Sequence, residues 1–99
     1  MSDEHSIFIG GKPFMNYVTA VVMQFTTKGA TGVVVKSRGK FISRAVDVVE
    51  VARNRFLKDQ IDVLNIKIGS EEFVNQEGRN VRVSTLEIAL GKKVSSLNP

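Results

Sequence analysis

At 99 residues, with 42% hydrophobic and 24% charged side chains, the chain has room for one domain with a real core, and little for an enzyme with a deep cleft. The absence of cysteine excludes disulfides, thiolate zinc and cysteine nucleophiles together, and no apolar run approaches the ~18 residues of a membrane span. A net charge of +4 favours an acidic partner without choosing among nucleic acid, acidic protein and lipid.

His5 to Ile9 reads as a short strand ending at Gly10-Gly11, and Pro13 suits the first turn of a helix, where its missing N–H costs nothing. Phe14, Tyr17, Val18, Val21, Val22 and Phe25 follow at 3–4 spacing, which predicts an amphipathic helix running to about Lys28 and stopped by Gly29. Its outer face is weakly polar and uncharged (Asn16, Thr19, Ala20, Met23), a hint that a partner covers part of it. The apolar run Val33-Val34-Val35 is expected of a strand buried on both faces. After Gly39 a second helix is expected from about Ile42 to Leu57. Its core face would be Ile42, Ala45, Val46, Val49, Ala52 and Phe56. A third stripe, Phe41, Val48 and Val51 beside Arg44 and Arg55, reads equally well as a subunit contact or as a wide buried face.

Two long strands follow, about Ile61 to Val74 and Val81 to Leu90, joined by a turn at Glu77-Gly78. Leu64, Ile66 and Ile68 alternate with polar residues, and so do Leu86, Ile88 and Leu90, which is expected of core-facing positions in the sheet. Nearer the turn both patterns fail at the same level, so Gly69 and Ser70 are expected opposite Leu86 and Thr85. The base of the hairpin would then lie in the sheet and its outer part project as an arm on the order of 20 Å long. A free two-stranded arm is marginal in water and is kept for contact with a partner. The fold class is therefore α/β: a two-layer sandwich, β-α-β-α-β-β, with a four-stranded mixed sheet, two helices and a protruding hairpin. Residues 1–99 form one domain, with about 1–5 and 92–99 expected to be flexible.

Charge is distributed unevenly along this chain. Between His5 and Val46 there is no Asp or Glu, while Lys12, Lys28, Lys36, Arg38, Lys40 and Arg44 all fall there, leaving the rest of the chain with eight bases against ten acids. Bases flanking glycines at strand-to-helix junctions, with no acids beside them, suit a polyanion, which responds to local potential. A solvated basic face is the plain alternative. Lys12 is not part of a nucleotide loop, because the spacing G-x-x-x-x-G-K-[ST] is absent and Pro13 follows. On the arm, Arg79 at the tip and Arg82 farther back stand among Glu71, Glu72 and Glu77, so a single arginine entering a narrow groove fits better than a general phosphate clamp. Asn16 lies one turn from Lys12 and can reach a phosphate, whereas Tyr17 reads as core. Arg38 has a structural alternative, pairing with Asp47 or Glu50, and Arg44 can either reach nucleic acid or line a subunit contact. Lys92 and Lys93 read as a polar tail.

Catalysis finds little support. The lone His5 reads as a bystander, no nucleophile–base pair or metal cluster can be assembled, and Glu71 and Glu72 point to opposite faces of a strand. No cofactor or metal is expected.

Several runs resemble the Alba family of archaeal chromatin proteins. They are Ile9-Gly10-Gly11-Lys12-Pro13-Phe14-Met15-Asn16-Tyr17-Val18, Lys36-Ser37-Arg38-Gly39-Lys40-Phe41-Ile42-Ser43-Arg44-Ala45-Val46-Asp47 and Val51-Ala52-Arg53-Asn54-Arg55-Phe56-Leu57, with Gly78-Arg79 and Arg82-Val83-Ser84-Thr85-Leu86-Glu87-Ile88. The resemblance covers nearly the whole chain. It implies a homodimer, or a heterodimer with a paralogue, that coats double-stranded DNA with little sequence preference and in many members also binds RNA. The family's DNA-binding lysine in the first loop falls on Lys12, its basic second-loop residues on Arg38 and Lys40, and its hairpin-tip arginine on Arg79. Many members carry two lysines before the proline; here the first is Gly11, which leaves Lys12 as the only cation in that loop. An aromatic matching Phe56 helps dimers meet in the family, although the helical pattern sets Phe56 in the core. The resemblance also implies control by lysine acetylation at Lys12, with acetylating and deacetylating enzymes as partners, and a cytoplasmic location on the chromosome. An RNA-binding subunit of a ribonucleoprotein and a module meeting an acidic protein are the other readings.

Overall fold

The computed structural model describes residues 5–93. Strand β1 (Ser6–Phe8) leads into helix α1 (Phe14–Thr26), then strand β2 (Gly32–Arg38). A 3₁₀ turn at Gly39–Phe41 opens helix α2 (Ile42–Val51), which runs on as a π-helical turn over Ala52–Phe56. The hairpin strands are β3 (Ile61–Val74) and β4 (Asn80–Lys92). The sheet order is β1-β2-β4-β3, with β1 parallel to β2 and the other pairs antiparallel. This is the expected two-layer α/β sandwich with a four-stranded mixed sheet. Among the described residues, no helix is long and apolar enough to cross a membrane.

Both helices pack on one face of the sheet. Alternate residues of β2 and β4 (Val33 and Val35; Leu86, Ile88 and Leu90) are buried against Val18, Val21 and Phe25 of α1 and Ala45, Val48 and Val49 of α2. Burying each of these Val, Leu, Ile and Phe side chains is worth about 1.5–3 kcal/mol. Val34 points the other way and is only half-buried. The expectation of a strand covered on both faces is thus corrected: β2 is covered on one.

The core face of α2 also differs from expectation. The buried stripe is Ala45, Val48, Val49 and Ala52, at helical spacing, while Val46 is 43% and Phe56 50% exposed. Val48, 0% exposed, is part of the core, as a wide buried face requires, and is not available as a subunit contact. Phe41 and Val51 pack at the margin of the same core. Phe56 is displaced by the π turn. The Leu57 N–H reaches back five residues to the Ala52 carbonyl (2.8 Å), and this wider turn carries Phe56 outward while it sets Leu57 in the core.

The hairpin register is one residue away from the expected one. Asn75 closes a five-residue turn: its N–H bonds the Arg79 carbonyl, and its side-chain oxygen accepts the N–H groups of Glu77 and Arg79. Gly78 supplies the left-handed residue (φ 80°). The pairs are consequently Gly69–Thr85 and Ser70–Ser84. β2 ends opposite Thr85, so the five further pairs out to Val74–Asn80 form a free two-stranded arm. With the arm, the molecule measures 59 × 25 × 22 Å.

On β3 the apolar pattern changes phase, from Ile61 and Val63 to Ile66 and Ile68. A bulge at Leu64 absorbs the change: Val63 opposes Leu90 and Asn65 opposes Ala89. Ile66 and Ile68 therefore oppose Ile88 and Leu86 and share their face. β3 is nevertheless the edge strand, beyond the helix layer. Leu64, Ile66 and Ile68 are 57–78% exposed, correcting the expectation that they join the core.

Of the ends expected to be flexible, residues 1–4 and 94–99 lie outside the described residues. His5, Lys92 and Lys93 are instead tied down. The Val34 N–H donates to the His5 carbonyl, and Lys92 and Lys93 donate to the Thr31 and Gln60 carbonyls. His5 also sets Nδ1 2.7 Å from Gln24 Oε1.

Candidate nucleic-acid interface

Because β1 and β2 are parallel neighbours, with Phe8 beside Lys36, the loops that follow them leave the sheet at the same end. The first loop carries Lys12 and the second Arg38, Gly39 and Lys40. Gly39 adopts a left-handed conformation (φ 60°), which turns β2 into α2 and exposes the bases on either side.

The first loop is held by a brace from two helices. Tyr17 is buried, as expected of a core residue, but its hydroxyl oxygen accepts the N–H groups of both Gly10 and Lys12, each at 3.0 Å. Arg44 donates from Nη1 to the Gly10 carbonyl at 2.6 Å, and its guanidinium lies 5.7 Å from the Tyr17 ring centroid. The brace leaves the exposed side chain of Lys12 on a fixed backbone. Arg44 is therefore engaged inside the chain rather than pointing freely outward. Sequence reasoning missed this role of Tyr17; the signal available was a tyrosine, not a phenylalanine, one turn into a helix that follows a basic glycine loop.

Lys40 is exposed, with Nζ 5.5 Å from the Phe41 ring, and Asn16 is exposed one turn into α1. Arg38 is exposed too, but it donates to Glu71 on the arm at 2.7 Å, so neither Asp47 nor Glu50 is its partner. Glu50 pairs instead with Arg53. Arg82 pairs with Glu72 within the arm. Arg79 stands exposed at the tip, its backbone fixed by Asn75. Of the residues considered for subunit contacts, Arg55 and Phe56 are exposed side by side, whereas Phe41 and Val51 are half-buried. Among the described residues, no group of three or more His, Cys, Asp or Glu could hold a metal ion.

Fold and site together define a class: a small one-sided α/β domain with bases on adjacent loops at one end and a long β-arm. The chain belongs to the Alba family, whose model matches residues 5–70. It is 53% identical over 90 residues to the DNA/RNA-binding protein Alba 1 of Archaeoglobus fulgidus, covering 91% of this chain and 98% of that one. It is 59% identical over 88 residues to the DNA/RNA-binding protein Alba of Nanoarchaeum equitans, covering 88% and 97%. Among solved structures, Alba from Thermoplasma volcanium matches with a TM-score of 0.80 at 43% identity, over 87% of this chain and 98% of that one. ALBA1 from Trypanosoma brucei, at 22% identity and a TM-score of 0.67 over 93% and 72%, is alike in fold alone. These relatives bear the names of binding proteins, not of enzymes.

Proposed function

We propose that this protein is a chromosomal architectural protein, a dimer that coats and compacts double-stranded DNA with little sequence preference. The observation that carries the reading is the shared exit of two basic, acid-free loops from neighbouring parallel strands, Lys12 on a braced backbone and Lys40 with Arg38 beside it. Phosphates need only a row of accessible cations at this end, and such contacts carry no base information. The arm then extends the reach of the protein, with Arg79 entering a minor groove.

Dimerisation is supported by the edge strand. Ile66 and Ile68 are exposed on the core side of β3, and an apolar patch on a sheet edge invites a second copy. A two-fold pair would present two bodies and two arms to one duplex. Lys12 is the residue whose acetylation would tune binding, because it is the one cation of its loop and acetylation removes both the charge and its counterion release. The protein would work in the cytoplasm on the chromosome, alongside acetylating and deacetylating enzymes.

RNA is the second reading, favoured by relatives whose names include both nucleic acids. A salt-titrated gel shift with duplex DNA and with structured RNA, run beside a native-mass measurement, tests both. If a dimer neutralises roughly four to six phosphates, log K falls against log salt with a slope of about −4 to −5. A flat response, or a saturating one-to-one complex with an acidic protein in place of length-dependent coating, overturns the proposal.

A further inference from the structure

The face of the sheet turned away from the helices has no covering element among the described residues, and the side chains on it are not those of a plain solvated surface. The strand register sets Phe8 of β1, Lys36 of β2, Glu87 of β4 and Lys67 of β3 in one row across all four strands. The next row is Arg38, Thr85 and Gly69. Phe8 is 64% exposed on a three-residue edge strand, and Lys36 Nζ lies 5.4 Å from its ring centroid. On the outer part of the arm, opposite Val81, Phe73 (46% exposed) lines the same groove. The groove between the two aromatics has a volume of about 960 Å³ and is lined by the small residue Thr85, which pairs with Gly69 on the next strand.

We infer that this open sheet face is a second nucleic-acid site, one that takes unpaired nucleobases of single-stranded RNA or DNA by stacking on Phe8 and Phe73. An exposed ring offers a π-face to any base, and only an unstacked base can use it, so a duplex is excluded where a single strand is accepted. Lys36, Arg38 and Lys67 stand where the connecting phosphates would run. The acids also find a use here. Glu71 and Glu87 line the groove as acceptors, which suits the amino groups on the Watson–Crick edges of unpaired bases, whereas an acidic peptide would be repelled by them. The groove runs up to the second loop, whose Arg38 and Lys40 line one end of it, whereas Lys12 does not line it. The inference rests on the proposed function only for the class of polymer.

The test is fluorescence anisotropy with a short labelled oligo-uridine, a labelled oligo-thymidine and a labelled duplex, on the full chain and on Phe8→Ala, Phe8→Leu and Phe8→Tyr, each checked for native mass and circular dichroism. Because one base–aromatic stack is removed, Phe8→Ala and Phe8→Leu should bind the single strands roughly five-fold or more weakly. Phe8→Tyr should restore binding, and duplex affinity should stay within about two-fold throughout, since phosphate contacts dominate it. Phe73→Ala is the second variant and should act in the same direction. Unchanged single-strand affinity in Phe8→Ala, equal losses on duplex and single strand, or full retention in Phe8→Leu overturns the site. So does competition by poly-glutamate as effective as that by oligo-uridine. A wild-type chain that binds duplex but not single strands sinks this inference alone, whereas one that binds neither sinks the proposed function.

Discussion

At the end of the body, Lys12 and Lys40 stand on short loops and form no ion pair among the described residues, one held by Tyr17 and Arg44 and the other next to Phe41. On and below the arm, Arg38 and Arg82 each meet a glutamate, Glu71 and Glu72. Cations are thus presented in two ways. Lys12 and Lys40 are left for a ligand, whereas Arg38 and Arg82 are already neutralised and a phosphate must displace a carboxylate to reach them; Arg79 stands exposed beyond both at the tip. Exposed ion pairs of this kind are worth only about 0.2–1 kcal/mol, so displacement is cheap. The arm can therefore adjust to a ligand, while the body offers a fixed platform.

Perturbing the edge of β3 should have the largest effect. Charging Ile68 (Ile68→Glu) disrupts the exposed apolar patch on which the proposed dimer rests, so the native mass should halve and duplex affinity fall by roughly ten-fold or more as the proposed bivalency is lost. Sedimentation and gel shift would report both. Next comes the body: Lys12→Gln should weaken duplex binding about equally for all sequences and lower the salt slope by about 1 for each phosphate no longer neutralised. Tyr17→Phe keeps every charge but leaves the Gly10 and Lys12 N–H groups without their acceptor, at a cost of about 1–3 kcal/mol. Denaturant unfolding should show that destabilisation, and duplex affinity should drop although no cation has changed. The smallest effect belongs to the arm. Glu71→Gln frees Arg38 and should raise duplex affinity by a few-fold at low salt, in line with the weak pair it removes. Equal losses for Lys12→Gln and Arg38→Gln, with no gain for Glu71→Gln, would erase the contrast between the two regions.

Much of this arrangement can be read from the residues. The 3–4 spacing from Phe14 to Phe25 predicts α1, the alternation in Leu86, Ile88 and Leu90 predicts the buried face of β4, and the failure of pattern at one level of both long strands predicts the arm. Periodicity reports that a strand has an apolar face, but not whether the helix layer extends over it, and this is why it sets Ile66 and Ile68 in the core. For α2, an apolar residue on nearly every side leaves its orientation open, and the π turn at Ala52–Phe56 shifts the phase for Phe56. The shared exit of the two basic loops follows from the alternation of strands and helices. The acids that meet Arg38 and Arg82 do not, because they come from the far strand of the hairpin, 33 residues from Arg38 in the case of Glu71.

Amide chemical shifts followed while a short duplex is titrated into the labelled protein test the central claim most directly. Lys12, Gly39 and Lys40 should shift together and early, Arg79 at the arm tip should move with them, and Phe8 and Lys67 on the open sheet face should stay unmoved. Shifts that bypass both loops and fall elsewhere on the body would contradict it.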